Sequence, residues 1–243
     1  GTEVAKESAS MVLTDDNFAS IVNAVAEGRT IYDNIVKFVR FQLSTNVGAI
    51  LSVLGASLLG LPAPFTAIQI LWINIIMDGP PAMTLGLDPA RPGIMHEAPR
   101  GRTQAILGWR RFGRLALYGA TMAVGTLALF IYAQSKGQSH NYAHTLAFTT
   151  FVLFQFFNIF NARAEFGSVF STHLFRNVRL RLAILGVLLL QLLVVHWGPA
   201  QQVFATVDLA AEDWALAFAV ASSVLLLDEA RKLIWRCLPA PWR

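Results

Sequence analysis

This sequence predicts a mainly α-helical, polytopic membrane protein, and three observations predict it: sparse charge, recurring apolar runs of bilayer length, and basic residues crowded onto one side of those runs. Only 14% of the 243 residues are charged and 55% are hydrophobic, against roughly 25% charged in an average soluble domain. Runs long enough for a helix to cross a bilayer, about 17 to 25 residues, lie near residues 39–61, 65–87, 112–134, 144–162, 180–198 and 214–235, so six membrane helices are expected. Of the 19 Lys and Arg residues, all but Lys136 precede span one or follow spans two, four and six. Short basic loops stay on the cytoplasmic side, so both termini are expected there. The same asymmetry accounts for the net charge of +4 and directs the basic loops toward anionic lipid head groups, with no call for a nucleic-acid partner.

Residues 1–36 are mixed and charged, unlike everything after them. They read as a helix over Glu3 to Ser8, a short apolar strand Met11 to Leu13, a turn over Thr14 to Asn17, and an amphipathic helix from Phe18. In that helix Phe18, Ile21, Val22, Val25 and Ala26 recur at helical spacing, and Asp16 or Asn17 is the expected N-cap. One strand and two helices bury no core unaided, so this stretch reads as the α/β remnant of a cytoplasmic domain whose remainder lies upstream. The absent initiator Met fits a piece of something longer. No Gly, Pro or Ser-rich linker separates the amphipathic helix from span one, so residues 1–36 are expected to couple mechanically to the membrane domain of residues 37–243.

Span two begins after "LPAPFT", a tight outer turn at residues 61–66, and contains "NIIMDGPPAMTLG" at residues 74–86. An ionisable group within a span costs at least about 2.5 to 3.5 kcal/mol, so its default reading is functional. Asp78 is the acid deepest in any run; Asp228 and Glu229 lie near the cytoplasmic end of the last one, beside Arg231 and Lys232. Asn74 lies at i−4 from Asp78 and is expected on its helical face, while Gly79, Pro80 and Pro81 break the helix directly afterwards. Broken intramembrane helices free backbone carbonyls for ions. Span one supplies Gln42, Ser44, Thr45 and Asn46; folded as a hairpin, Asn46 and Asn74 differ in depth by about 10 Å of helix rise.

Oxygen donors of this kind suit Ca²⁺ or Mn²⁺, yet Ca²⁺ takes about 6 to 8 of them. Asn46, Asn74 and Asp78 supply too few, so further ligands are expected from unwound carbonyls or from outside the chain. Met77 lies near the same face and could offer a thioether, though a methionine in a span more often packs. His140 and His144 have an i, i+4 zinc spacing in an expected outer loop, without neighbouring Cys or acids. Cys237 is the one cysteine, so no intrachain disulfide forms. The sequence contains no GxxxxGK[ST] loop, no HExxH motif and no Ser-His-Asp arrangement.

"NVGAILSVLG" followed by "LWINIIMDGPPAMTLGLDP" closely resembles the fifth and sixth membrane helices of type II P-type cation-transporting ATPases, above all the calcium pumps. Residues 1–41 resemble the end of their phosphorylation domain and the stalk into the fifth helix, and the last four spans agree in topology. The resemblance implies the transport half of a pump in which an aspartyl phosphate, formed from Mg²⁺ and ATP in upstream domains, drives alternating access. It implies that Asn46, Asn74 and Asp78 are ion ligands, completed by an upstream glutamate and unwound carbonyls. Ala49 and Gln155 stand where the two-site muscle-type pumps carry ligating glutamates. That departure resembles the plasma-membrane and secretory-pathway pumps, which also have Met at the position of Met77, and it implies one Ca²⁺ or Mn²⁺ per cycle with Gln155 as a neighbour of the site. The DKTG and GDGxNDxP motifs are not in this stretch, so the fragment alone is expected neither to bind ATP at a complete site nor to hydrolyse it. An independent six-span channel or carrier, or a non-catalytic membrane subunit, are the competing readings. The Arg-rich, Ala-rich style suggests a bacterial plasma membrane.

Overall fold

The computed structural model describes residues 2–15, 17–77, 79–99, 101, 106–165, 167–169 and 177–237. Helix α1 (Glu3–Ser8) is capped by the Thr2 hydroxyl, which accepts from the Ala5 amide at 3.3 Å. Met11 to Leu13 form no strand, and the described residues contain none. The correction has a physical basis: a strand needs a partner for its backbone groups, and this segment has none among them.

Helix α2 (Ala19–Leu58) runs unbroken for 40 residues, roughly 60 Å at 1.5 Å per residue. A bilayer core is about 30 Å thick, so its first half continues beyond a membrane as a stalk. The Asn17 carboxamide oxygen accepts from the Ala19 amide at 3.0 Å, while Phe18 occupies the cap position itself; Asp16, the other expected cap, lies outside the described residues. The buried positions Thr30, Asn34, Lys37, Phe41, Ser44, Gly48, Ser52 and Ala56 step by three or four residues and form one seam along the helix. That seam approaches α5 (Trp109–Ser135) very closely: a Cβ at Gly119 would lie 2.6 Å from Val47 Cγ1 and 2.9 Å from the Gly48 nitrogen.

The second expected span is a broken helix. Thr66 and Gln69 form a reciprocal capping box that starts α3 (Ala67–Trp72). The backbone then widens into a π-helical turn over Ile73–Met77, and α4 restarts at Pro80–Gly86 with prolines in its first turn, where the missing N–H groups are no loss. Gly79 is required between them, because a Cβ there would lie 2.4 Å from the Ile75 carbonyl oxygen.

Helix α6 (His140–Arg163) is the bundle's centre, buried on nearly every side and packed against α2, α4, α5, α7 and α9. Its Phe148, Phe151 and Phe154 fill the largest apolar cluster. His140 and His144, expected in a loop, lie in its first turns; His144 is buried with Nδ1 3.1 Å from the Pro64 carbonyl oxygen. Helix α7 (Val178–His196) presents leucines outward, α8 (Gly198–Phe204) is a short helix with no counterpart in the expected spans, and α9 (Ala211–Cys237) closes the bundle. Among the described residues, four helices, α2, α5, α6 and α7, are long and apolar enough to cross a membrane. The broken α3–α4 pair and α9 occupy the positions of the other two expected spans.

Candidate cation site

The sequence-predicted site residues are distributed over three elements. Asn46 is half-buried on α2, Asn74 is exposed within the π turn, and Gln155 is fully buried on α6. Asp78 and the Met77 side chain lie outside the described residues. Neither asparagine makes a side-chain hydrogen bond to another described residue. Asn74 lies in a π turn over Ile73–Met77 rather than in the regular α-helix expected there. A π-helical insertion commonly marks a functional position. Both α2 and the π turn pack against α6, the helix that carries Gln155.

Beside these residues the helix contacts are polar. Asn158 Nδ2 donates to Ser44 Oγ at 2.7 Å, and Ser44 donates back to the Arg40 carbonyl oxygen at 2.8 Å. One turn away from Asn158, Gln155 has neither amide atom hydrogen-bonded, and the buried Thr45 hydroxyl is likewise unpartnered. An unsatisfied buried polar group costs about 1 to 3 kcal/mol, which makes these atoms unusual in an otherwise well-packed core. The carboxamide oxygens of Asn46 on α2, Gln155 on α6 and Asn74 in the π turn are of the donor type that hard divalent cations take. Groups of three His, Cys, Asp or Glu that would instead hold a transition metal do not occur among the described residues.

The outer half of the broken helix is fixed separately from the inner half. Gln69 Nε2 donates to the Phe204 carbonyl oxygen at 3.1 Å, Trp72 Nε1 donates to Gln191 Oε1 at 3.1 Å, and the Trp72 and Phe204 rings meet edge to face at 4.9 Å. These contacts tie α3 to α7 and α8. Below the break, Asp88, just past α4, accepts from Lys37 Nζ at 2.9 Å, Arg163 Nη2 at 2.7 Å and Asn177 Nδ2 at 3.0 Å. Asn34 Nδ2 donates to its carbonyl oxygen at 2.8 Å. Burial alone would raise the Asp88 pKa; Arg163 and Lys37 outweigh it and hold the carboxyl below its ordinary value.

A second carboxylate, Glu165, sits among Arg40 Nη1 at 3.3 Å, Arg111 Nε at 3.1 Å and Arg114 Nη2 at 3.1 Å. There too burial pushes the carboxyl up and the three arginines prevail, Arg40 foremost. The basic loops, with Arg111, Arg114 and Arg163 among their residues, were expected to face lipid; the structure instead pairs these three, and Lys37 and Arg40 on the stalk helix, with carboxylates. Asp228, expected in an interfacial ion pair, is fully buried; it accepts from the Tyr118 hydroxyl and from Arg231 and forms an ion pair with Lys232 at 2.8 Å. The one signal for these pairings was the presence of single acids, Asp88 and Glu165, next to spans otherwise flanked by base.

A long stalk helix, a membrane-length helix broken at a polar turn, and ion-paired junctions linking the two define the class as a helical polytopic membrane domain. Residues 62–234 match the family described as cation transporting ATPase, C-terminus, and the chain belongs to that family. It is 44% identical over 221 residues to a calcium-transporting ATPase of Bacillus subtilis, covering 89% of this chain and 24% of the relative. It is 42% identical over 234 residues to the mouse calcium-transporting ATPase type 2C member 2 (96% and 25%), and 41% identical over 232 residues to calcium-transporting ATPase 1 of Schizosaccharomyces pombe (96% and 26%). The chain therefore spans about a quarter of the length of these relatives.

Proposed function

We propose that this chain is the C-terminal membrane-transport part of an ATP-driven divalent cation pump, carrying Ca²⁺ and accepting Mn²⁺. In this reading it has six spans with both termini on the cytoplasmic side of a bacterial plasma membrane, an orientation supported by the crowding of Lys and Arg on one side of the spans. One ion is bound per cycle by Asn46, Asn74 and Asp78, with Met77 and Gln155 as neighbours and the remaining ligands from an upstream helix of the same polypeptide. The upstream domains hold Mg²⁺ and ATP and form the aspartyl phosphate.

The observation that carries this reading is the π turn that ends directly before Asp78 and is followed by the helix restart at Pro80. Pro80 and Pro81 have no amide hydrogen to donate to carbonyls of the preceding turn, and carbonyls so freed are how a low-charge site gathers enough oxygens for a divalent ion. The names of the relatives, all calcium-transporting ATPases, support Ca²⁺ as cargo. In mechanical terms, α3 is tied to α7 and α8 while α4 is tied through Asp88 to the stalk helix α2. A displacement of the stalk then moves α4 relative to α3 and changes the geometry at the break.

The test is ATP-dependent ⁴⁵Ca²⁺ uptake into vesicles holding a full-length pump with this chain, titrated with Mn²⁺ and repeated with Asp78→Asn. The proposal expects uptake that Mn²⁺ suppresses and that Asp78→Asn abolishes or weakens at least about tenfold in affinity, the loss of one charge-assisted ligand. Parental uptake by Asp78→Asn would remove Asp78 from the site.

A further inference from the structure

Most basic side chains among the described residues are committed to partners within the protein. Lys37, Arg40, Arg91, Arg111, Arg114, Arg163, Arg231 and Lys232 pair with carboxylates, and Arg29 donates to the Ile94 and Glu97 carbonyl oxygens. Arg110, Arg179 and Arg181 are different. They are exposed, and their guanidinium groups have no hydrogen bond or ion pair with any described residue.

Their positions on the helices are also shared. Arg110 lies in the first turn of α5, and steps of seven residues lead from it to Leu117, Val124 and Ile131, all exposed and apolar. On α7, Arg181 leads by helical steps to Leu185, Leu189 and Leu192, and Arg179 leads to Leu182 and Leu193, again all exposed. Residues spaced in this way share one helix face. Trp109, 87% exposed beside Arg110, and Val178 beside Arg179 add apolar surface at the same level. Each unpaired guanidinium therefore stands at the end of a stripe that faces hydrocarbon, at the depth of the head groups.

We infer that Arg110, Arg179 and Arg181 form a binding surface for anionic phospholipid in the leaflet on the basic side of the membrane. The occupant follows from the chemistry: a guanidinium with no internal counter-charge matches a phosphodiester, and the stripe below it accommodates the acyl chains. The neighbouring Arg111 and Arg114, already neutralised by Glu165, are excluded from this role although they lie within one turn of Arg110. The inference uses the membrane reading of α5 and α7 and is independent of the ion site, so its failure leaves the cation-pump proposal untouched.

The experiment is electron paramagnetic resonance of spin-labelled phosphatidylglycerol and phosphatidylcholine around the purified chain in phosphatidylcholine bilayers. A basic residue at the surface favours an anionic lipid by about fivefold at its own site; averaged over the lipid shell, a preference of about twofold for phosphatidylglycerol is expected. The Arg110→Gln/Arg179→Gln/Arg181→Gln variant should bring it near parity, the corresponding triple Lys variant should retain it, and 1 M NaCl, with a screening length of about 3 Å, should reduce it in the parent chain. No preference in the parent chain, a preference unchanged in the Gln variant, or one indifferent to salt would each overturn the inference. The salt measurement needs no variant and decides the matter even where the substituted chain folds poorly.

Discussion

Arg163, the last residue of α6, reaches Asp88 just past α4 with Nη2 2.7 Å from Oδ1, and both side chains are almost wholly buried. Lys37 of the stalk approaches the other oxygen of the same carboxylate, so one acid joins the stalk, the broken helix and the bundle's central helix.

Replacing that acid should therefore be severe. Asp88→Asn leaves two buried cations facing a neutral amide, and breaking a buried pair in this way costs about 3 to 5 kcal/mol. Thermal unfolding of the detergent-solubilised chain should show the loss, and the conservative exposed substitution Glu3→Gln, where Lys6 is the partner at the surface, should change stability by less than about 1 kcal/mol.

Acid should weaken the same junctions. The Asp88 and Glu165 carboxyls lie below their ordinary values when folded, because Arg163 and Lys37, or Arg40 with Arg111 and Arg114, outweigh the effect of burial. A depressed carboxyl contributes its full stability above its unfolded pKa and loses it as pH falls through the folded value. Unfolding midpoints should stay level from neutral pH to about pH 5 and then fall, chiefly below about pH 4. Glu165→Gln should be less stable at neutral pH and show a shallower acid limb.

The break in span two should be intolerant of a single methyl group. In Gly79→Ala the new Cβ meets the Ile75 carbonyl oxygen at 2.4 Å, and the backbone must shift at an expected cost of about 1 to 3 kcal/mol. Transport by a full-length pump carrying the substitution should fall more than its expression does, because the displaced segment adjoins Asn74 and Asp78. Equal transport per folded molecule would show that the geometry of the break is not critical.

Gln155 separates packing from ion binding. Its unpartnered amide is a destabilising element at a fully buried position, so Gln155→Leu should stabilise the chain by about 1 kcal/mol or more. If the amide neighbours the cation, Ca²⁺ affinity of the full-length pump should drop in the same variant. A gain in stability with unchanged affinity would make Gln155 a structural residue only.

The interruption of span two was legible because Gly-Pro-Pro and an acid within an apolar run are local signals: Pro80 and Pro81 lack amide hydrogens, and Gly79 alone fits the turn. The π turn itself was not, since widening of a helix by one residue per turn depends on what packs against it. The stalk was readable from the uninterrupted helical pattern through Arg29, Tyr32 and Val36. The strand expected over Met11 to Leu13 failed because an apolar run of three residues carries no information about a partner. Likewise α8 was missed, as its seven residues are held by Gln201 and by contacts from α3 rather than by periodicity of their own.

Hydropathy and the side on which arginine accumulates are sums over neighbouring residues, and they were enough to establish a helical membrane protein, the approximate spans and the polar positions Asn46, Asn74 and Asp78. Which arginines are neutralised was settled elsewhere. Lys37 and Asp88 are 51 residues apart, and Arg40 reaches carbonyl groups more than 120 residues away. A charge's partner depends on distance in space and on the loss of water around it, and both arise only when α2, α4 and α6 are packed together. The same packing left Arg110, Arg179 and Arg181 facing outward, although in composition and position along the chain they are indistinguishable from the arginines it buried.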